Sequence, residues 1–147
     1  MNNILIRQAT TEDASIILEL IKEFAGYLGK SDMVKVSIDD LTESKSSYGC
    51  LLIETAGQTV GYALYNYAFH TWSGKSIYVD DIYVKEAFRR QGVGRRIVNE
   101  LYKIANENDC CDIRWQVLDW NKSAIAFYEN IGATVGDDNL NCKLTIK

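Results

Sequence analysis

A mixed β-sheet flanked by helices, an α/β plan, is what this sequence predicts, on three observations. Alternating apolar runs at residues 50–55, 59–69 and 77–84 succeed one another across short gaps, as the strands of a meander do. Apolar side chains recur at helical spacing over Ile16, Ile17, Leu20, Ile21, Phe24 and Leu28, and again over Ile97, Val98, Leu101, Ile104 and Ala105. In the second half extended and helical segments alternate, which returns strands to the sheet through crossovers.

Each element has its own signal. Ile4 to Ala9 reads as a strand, and Thr10-x-x-Asp13 resembles a capping box, with Asp in place of the usual Glu, opening the first helix. A short second helix starts at Ser37. Cys50 to Thr55 and Thr59 to Phe69 form a hairpin about Ala56-Gly57-Gln58, and Ile77 to Val84 makes a further strand, central in the sheet. A helix spans about Gly94 to Glu107, a strand Ile113 to Leu118, and a helix Lys122 to Asn130. Leu140, Cys142, Leu144 and Ile146 alternate as a final strand. Trp115, Trp120 and Phe127 are assigned to the core.

With 147 residues and 47% hydrophobic content, the chain is expected to form one domain that buries a core without staples. No apolar run approaches the ~20 residues of a membrane span, so neither an anchor nor a signal peptide is predicted and the expected location is cytoplasmic. A net charge of −4, with the basic residues in one local cluster, argues against a nucleic-acid partner. Four cysteines, at 50, 110, 111 and 142, show no Cys-x-x-Cys spacing and meet a single histidine, so no metal site is expected. Cys110 and Cys111 read as packing or strand-entry residues.

The chemistry-bearing stretch begins at Ile77-Tyr-Val-Asp-Asp-Ile-Tyr-Val84 and continues into Arg89-Arg-Gln-Gly-Val-Gly94. Gly92 and Gly94 lack a Cβ, so backbone there can take positive φ and approach a ligand closely. Helical periodicity begins at once, and the unpaired N–H groups of that helix start face whatever the loop cradles. Residues 85–96 hold Lys85, Arg89, Arg90, Arg95 and Arg96 against Glu86 alone, a basic concentration in an acidic chain. Guanidinium forks suit phosphate oxygens. A phosphate-bearing cofactor fits these features; a solvated basic face is the competing reading. A P-loop string is absent, and Ile97 stands where a Rossmann fingerprint wants a third small residue.

Further on, Trp120-Asn-Lys-Ser-Ala-Ile-Ala-Phe-Tyr-Glu-Asn-Ile-Gly-Ala133 sets Asn121, Ala124, Tyr128 and Gly132 at fixed offsets. Together the two signatures resemble the GNAT superfamily of acetyl-CoA-dependent N-acetyltransferases. Within it the chain is similar to the spermidine/spermine and thialysine N-acetyltransferase group, through Ile6-Arg7-x-Ala-Thr10, Trp72-Ser-Gly-Lys75, Tyr78-Val-Asp-Asp81, Trp120-Asn121 and Phe127-Tyr128. The likeness spans nearly the whole chain and implies the element order β-α-α-β-β-β-α-β-α-β.

By position, the resemblance implies that the backbone of Ile82, Tyr83 and Val84 pairs with the pantetheine arm of acetyl-CoA. Arg90, Gln91, Gly92, Val93, Gly94 and Arg95 would hold the pyrophosphate, with Arg89 also among the cofactor-binding residues. Asn121, Ser123 and Ala124 would line the far side of the arm where the sheet splays, and the Tyr128 hydroxyl would face the thioester sulfur. Tyr27, Trp72, Asp80, Asp81 and Gln116 fall on the acceptor side. A homodimer is implied as well, with the acceptor groove completed near the subunit boundary.

The chemistry accounts for these residue types. A thioester is already activated, so a neutral amine attacks it without a protein nucleophile. A lysine-like amine with a pKa near 10.4 is on the order of 0.04% neutral at pH 7, so a base is needed. Asp80 stands where the family usually has Glu, whereas Asp81 reads first as a fold residue. Tyr128, protonated at neutral pH, suits the general acid for the departing thiolate. Its competing reading is a core aromatic.

The expected acceptor is a small-molecule primary amine. Leu28 and His70 replace acids that the polyamine enzymes carry, while Tyr27, Trp72 and the Asp80 pair could hold an amine by charge and cation-π contacts. A diamine, a thialysine-like or amino-acid amine and a protein or peptide amine stay open. So do a catalytically silent acyl-CoA-binding module and a dinucleotide oxidoreductase.

Overall fold

The computed structural model describes residues 3–146, which fall into two compact units, residues 3–116 and residues 117–146. The first holds a five-stranded sheet in the order β1-β2-β3-β4-β5, from β1 (Ile4–Gln8), β2 (Gly49–Thr55), β3 (Gln58–His70), β4 (Gly74–Val84) and β5 (Asp112–Trp115). The first four strands pair antiparallel, and β5 lies parallel to β4 after the crossover through helix α3 (Val93–Glu107). The mixed sheet predicted from sequence is therefore present, with β4 inside it.

Local chemistry explains the joints. The β2–β3 turn sets both Ala56 (φ 51) and Gly57 (φ 74) in the left-handed region that a two-residue hairpin requires. Helix α1 (Ala14–Tyr27) is entered through a tight turn in which the Thr10 N–H donates to Asp13 Oδ2 at 2.7 Å. Asp13 also takes both terminal nitrogens of Arg7 at 2.9 Å, and Arg7 reaches Glu54 at 3.1 Å. One guanidinium thus ties β1, the α1 start and β2 together. Ser37 caps the short helix α2 (Ile38–Glu43) in a reciprocal capping box with Asp40.

Two apolar clusters sandwich the sheet. One joins Leu51, Ile53, Val60, Ala63, Tyr65, Ile77 and Val79 to α3 through Val93, Ile97, Leu101, Ile104 and Ala105. The other joins Cys50, Leu52, Tyr62 and Tyr83 to Ile17 and Leu20 of α1 and Leu41 of α2. The stripes read from sequence are the buried faces.

The second unit holds helix α4 (Lys122–Asn130). Its limits follow from the caps: Asn121 Oδ1 accepts from the Ala124 N–H at 3.4 Å, and Gly132, at φ 97, closes the other end. Two expectations are corrected here. No strand forms over residues 134–146, where Leu140, Leu144 and Ile146 are at least 83% exposed, because alternation makes a strand only where a neighbour completes its ladder. Trp120, assigned to the core, is 53% exposed, whereas Trp115 does pack against the α3-side cluster.

Candidate active site

The last five residues of β4 are the unusual part of the sheet. Pairing with β5 runs from Ser76↔Asp112 to Val79↔Trp115 and stops, so Asp80 to Val84 has no strand partner on its outer edge among the described residues. On the inner edge the register with β3 slips: Tyr65 faces Val79 and Leu64 faces Asp81, which leaves Asp80 as the extra residue of a bulge. The bulge inverts the alternation. Ile77 and Val79 point to the α3 side before it; after it Ile82 and Val84 do so, and Tyr83 joins the α1-side cluster.

Asp80 is consequently exposed, and Asp81 is drawn inward. The Tyr62 hydroxyl, on β3, donates to Asp81 Oδ2 at 2.8 Å. Burial pushes the Asp81 carboxyl up to about 6; the Tyr62 donor opposes that shift and neighbouring Asp80 adds to it. Burial likewise raises the Tyr62 phenol well above its ordinary range.

Beyond β4 the chain turns into the glycine loop. Gly92 caps α3 at φ 80, and a Cβ built there would meet nothing within 4 Å, so open space lies over the helix start. Arg90 is also left-handed, at φ 63, an unusual conformation for a residue with a side chain and one that clusters at functional sites. Gly94 differs from expectation: it lies within the first turn of α3 and has no positive φ, since the left-handed positions are Arg90 and Gly92. Arg90, Arg95 and Arg96 are exposed around this helix start, and Val93 is buried beneath it. These features suit a pyrophosphate: free N–H groups, open space and guanidinium forks.

Arg89 is used differently. Its Nε donates to the Val84 carbonyl at 2.6 Å, and its guanidinium lies 4.6 Å from the Tyr27 ring centroid and 5.5 Å from that of Tyr83. Tyr83 stacks on Phe24 at 5.1 Å and donates to Glu23 Oε2 at 2.7 Å. The structure thus brings Tyr27, Arg89, Tyr83, Tyr62 and Asp81 to the α1 side of the sheet. Trp72 is not among them. It lies fully exposed at the β3–β4 turn, and Asp80 lies six residues beyond Gly74, roughly 20 Å of strand. His70 contacts the buried Ser76 hydroxyl at 2.8 Å and so supports that same hairpin end. Gln116 follows β5 and is exposed.

In the second unit Asn121 is occupied as the α4 cap, Ser123 is exposed and Ala124 half-buried. Tyr128 is half-buried, its ring 5.6 Å from Phe127, and burial raises its phenol pKa. The Asn121 and Gly132 offsets of the second signature are thereby explained as helix caps. Sequence reasoning missed Tyr62 and Arg90's backbone; the first needed the strand register, and the second has no signal in composition.

Comparison with known proteins agrees with this geometry. Residues 14–133 match the acetyltransferase (GNAT) family. A pig thialysine N-epsilon-acetyltransferase is 38% identical, covering 90% of this chain and 85% of its own. The human spermidine/spermine N(1)-acetyltransferase-like protein 1 is 31% identical over 90% of this chain and 21% of its own. Among solved structures, an aminoglycoside N-acetyltransferase in complex with CoA superposes with a TM-score of 0.79 at 12% identity, over 98% of this chain and 96% of its own. With the family match running over most of its length and the fold agreeing, the chain belongs to the GNAT family of acetyltransferases.

Proposed function

We propose that this protein transfers the acetyl group of acetyl-CoA to a primary amine of a small molecule. One observation carries the reading: the acid pair Asp80–Asp81 and the unpaired edge of β4 occupy the same five residues, which lead into the glycine loop. The relatives named for thialysine and for spermidine or spermine support a small amine as acceptor. The family match crosses both compact units, which supports reading them as one catalytic domain.

The bound cofactor would supply an activated acyl carbon that an amine attacks directly. Backbone groups of Ile82, Tyr83 and Val84 would pair with its arm as an added strand. Gln91, Gly92, Val93 and Gly94 would offer backbone N–H groups to the pyrophosphate, joined by Arg90 and Arg95. Arg89 instead braces the strand end through the Val84 carbonyl. Asn121, Ser123 and Ala124 would line the other side of the arm. Exposed Asp80 draws in the ammonium and takes its proton directly or through water. A phenol whose pKa burial raises stays protonated, so Tyr128 would hold the proton for the leaving sulfur. Tyr27, Asp81 and Gln116 would border the acceptor, and Trp72 would reach it only from a second copy, as in a homodimer.

Thiol release from acetyl-CoA, followed with lysine, thialysine, spermidine and spermine, tests this. Leu28 and His70 supply no carboxylate for a distal ammonium, so the expected order places amines with one ammonium above spermine. Acetyl-CoA binding with no thiol release on any amine would refute the enzyme; a preference for spermine over every monoamine would refute the acceptor class.

A further inference from the structure

Buried carboxylates are costly, and a fold keeps one where it has use for the altered proton affinity. Asp81, half-buried, bears part of that cost. It stands one residue past the bulge, on the stretch that lacks an outer strand, with Leu64 opposite and the Tyr62 hydroxyl 2.8 Å away. Tyr62 is wholly buried, hemmed by Tyr83 at 6.4 Å between ring centroids. Its hydroxyl therefore has a fixed direction. The ionisable neighbours are few: Tyr62 on β3, Cys50 on β2, kept a neutral thiol by burial, and Asp80 on β4 itself. From α1 and α2 the packed side chains are apolar, Ile17, Leu20, Phe24 and Leu41, while Glu23 is occupied by Tyr83.

Resting on the acetyltransferase reading, we propose that Asp81 is the terminal acceptor of the amine proton and that Tyr62 is the positioning residue that holds its carboxylate. Asp80 is an exposed carboxylate, whereas in its half-buried neighbour burial raises the proton affinity and the Tyr62 hydroxyl fixes the carboxylate, and the two are adjacent in the chain. The ammonium gives a proton to Asp80, directly or through water, and Asp80 passes it inward to Asp81. The freed nitrogen lone pair forms the N–C bond to the acetyl carbon, the nitrogen gives its second proton to water, and the C–S bond breaks. The sulfur leaves with that electron pair and takes the proton of Tyr128. Asp81 and Tyr128 then exchange protons with solvent, so the balance is one ammonium and one thioester in, one amide, one thiol and one proton out.

Because Asp81 must be ionised to accept, kcat/KM for the amine should rise with pH through a limb near 6 in the parent. Tyr62→Phe keeps the ring and removes the donor that favours the carboxylate, so the limb should move up by about one pH unit. Asp81→Asn, of equal size, should abolish the limb and lower kcat by ~10²-fold. Asp80→Asn should lower turnover but leave the limb where it is. A Tyr62→Phe limb at the parent position, or a limb that survives Asp81→Asn and disappears with Asp80→Asn, overturns the proposal. Circular dichroism and melting temperature identify any variant that fails to fold, and Tyr62→Phe alone then decides. Failure of the parent itself to release thiol would fall on the acetyltransferase reading instead.

Discussion

Gly61 sits where β3 supports the open stretch of β4, and the structure makes its replacement a sharp test of that stretch. A Cβ at Gly61 would lie 2.5 Å from the Tyr83 carbonyl oxygen and 3.2 Å from the Val84 Cα. The first distance is roughly 1 Å short of van der Waals contact, and the obstacle is backbone that cannot rotate aside. Gly61→Ala should therefore push Tyr83 and Val84 outward by about that amount. The overpacking should cost ~1–3 kcal/mol of stability. A 1 Å displacement of ligand-positioning groups costs ~10²-fold, so kcat/KM for acetyl-CoA should fall to that extent. Gly49→Ala is the matched control, since its Cβ collides with the buried Tyr65 ring, which the Gln8 side chain holds, and not with β4. It should lose similar stability and keep kcat/KM within a few-fold. Chemical denaturation and steady-state kinetics measure both. If Gly61→Ala keeps the parent kcat/KM while destabilised like Gly49→Ala, the edge of β4 does not hold the cofactor.

Gly92→Val places a β-branched side chain at φ 80 and fills the open space over α3, so calorimetry should show acetyl-CoA affinity reduced at least ~10²-fold. Tyr128→Phe should lower kcat by ~10²-fold with little change in acetyl-CoA affinity; a packing role alone predicts unchanged turnover. Leu28→Glu should shift kcat/KM toward spermidine over lysine by up to several-fold, the worth of an exposed ion pair at ~0.2–1 kcal/mol. Melting curves should show two opposed effects of pH. Arg7 holds the Asp13 carboxyl down to about 2, so its contribution of about 2 kcal/mol is present above pH ~4 and lost on acidification toward 2; Asp81, raised to about 6, favours the folded state while protonated, and that stabilisation fades between pH ~4 and ~6. Asp81→Asn should remove the second effect only.

What the sequence made legible follows from period. The α1 and α3 stripes, the capping boxes at Thr10 and Ser37 and the Ala56-Gly57 hairpin each write their conformation into a few adjacent residues. Leu140 to Ile146 shows the limit, because alternation states a preference and the missing ladder decides. The bulge leaves a trace in the sequence: apolar positions are odd at Ile77 and Val79 and even at Ile82 and Val84, a phase slip across the two aspartates. Simple alternation sends Asp80 and Asp81 to opposite faces, but it does not say that one is extruded and the other covered. Tyr62 as partner of Asp81 depends on register between strands, which no local window contains. In the second signature Asn121 and Gly132 serve as the caps of α4, whereas Tyr128 has no capping role.

The two rims of the sheet are unequal, and that inequality bears on how the molecule breathes. At one rim β1 is laced along five register pairs and pinned by the Arg7 ion triad; at the other β5 contributes four residues and β4 runs past it unaccompanied. Amide protons should therefore exchange with deuterium first along Asp112 to Trp115 and the exposed half of β4, and last in β2 and β3. A molecule that lies along Asp80 to Val84 would act as the sixth strand that this rim lacks, slowing exchange there and raising cooperativity throughout. The fold, seen this way, is finished by what it binds.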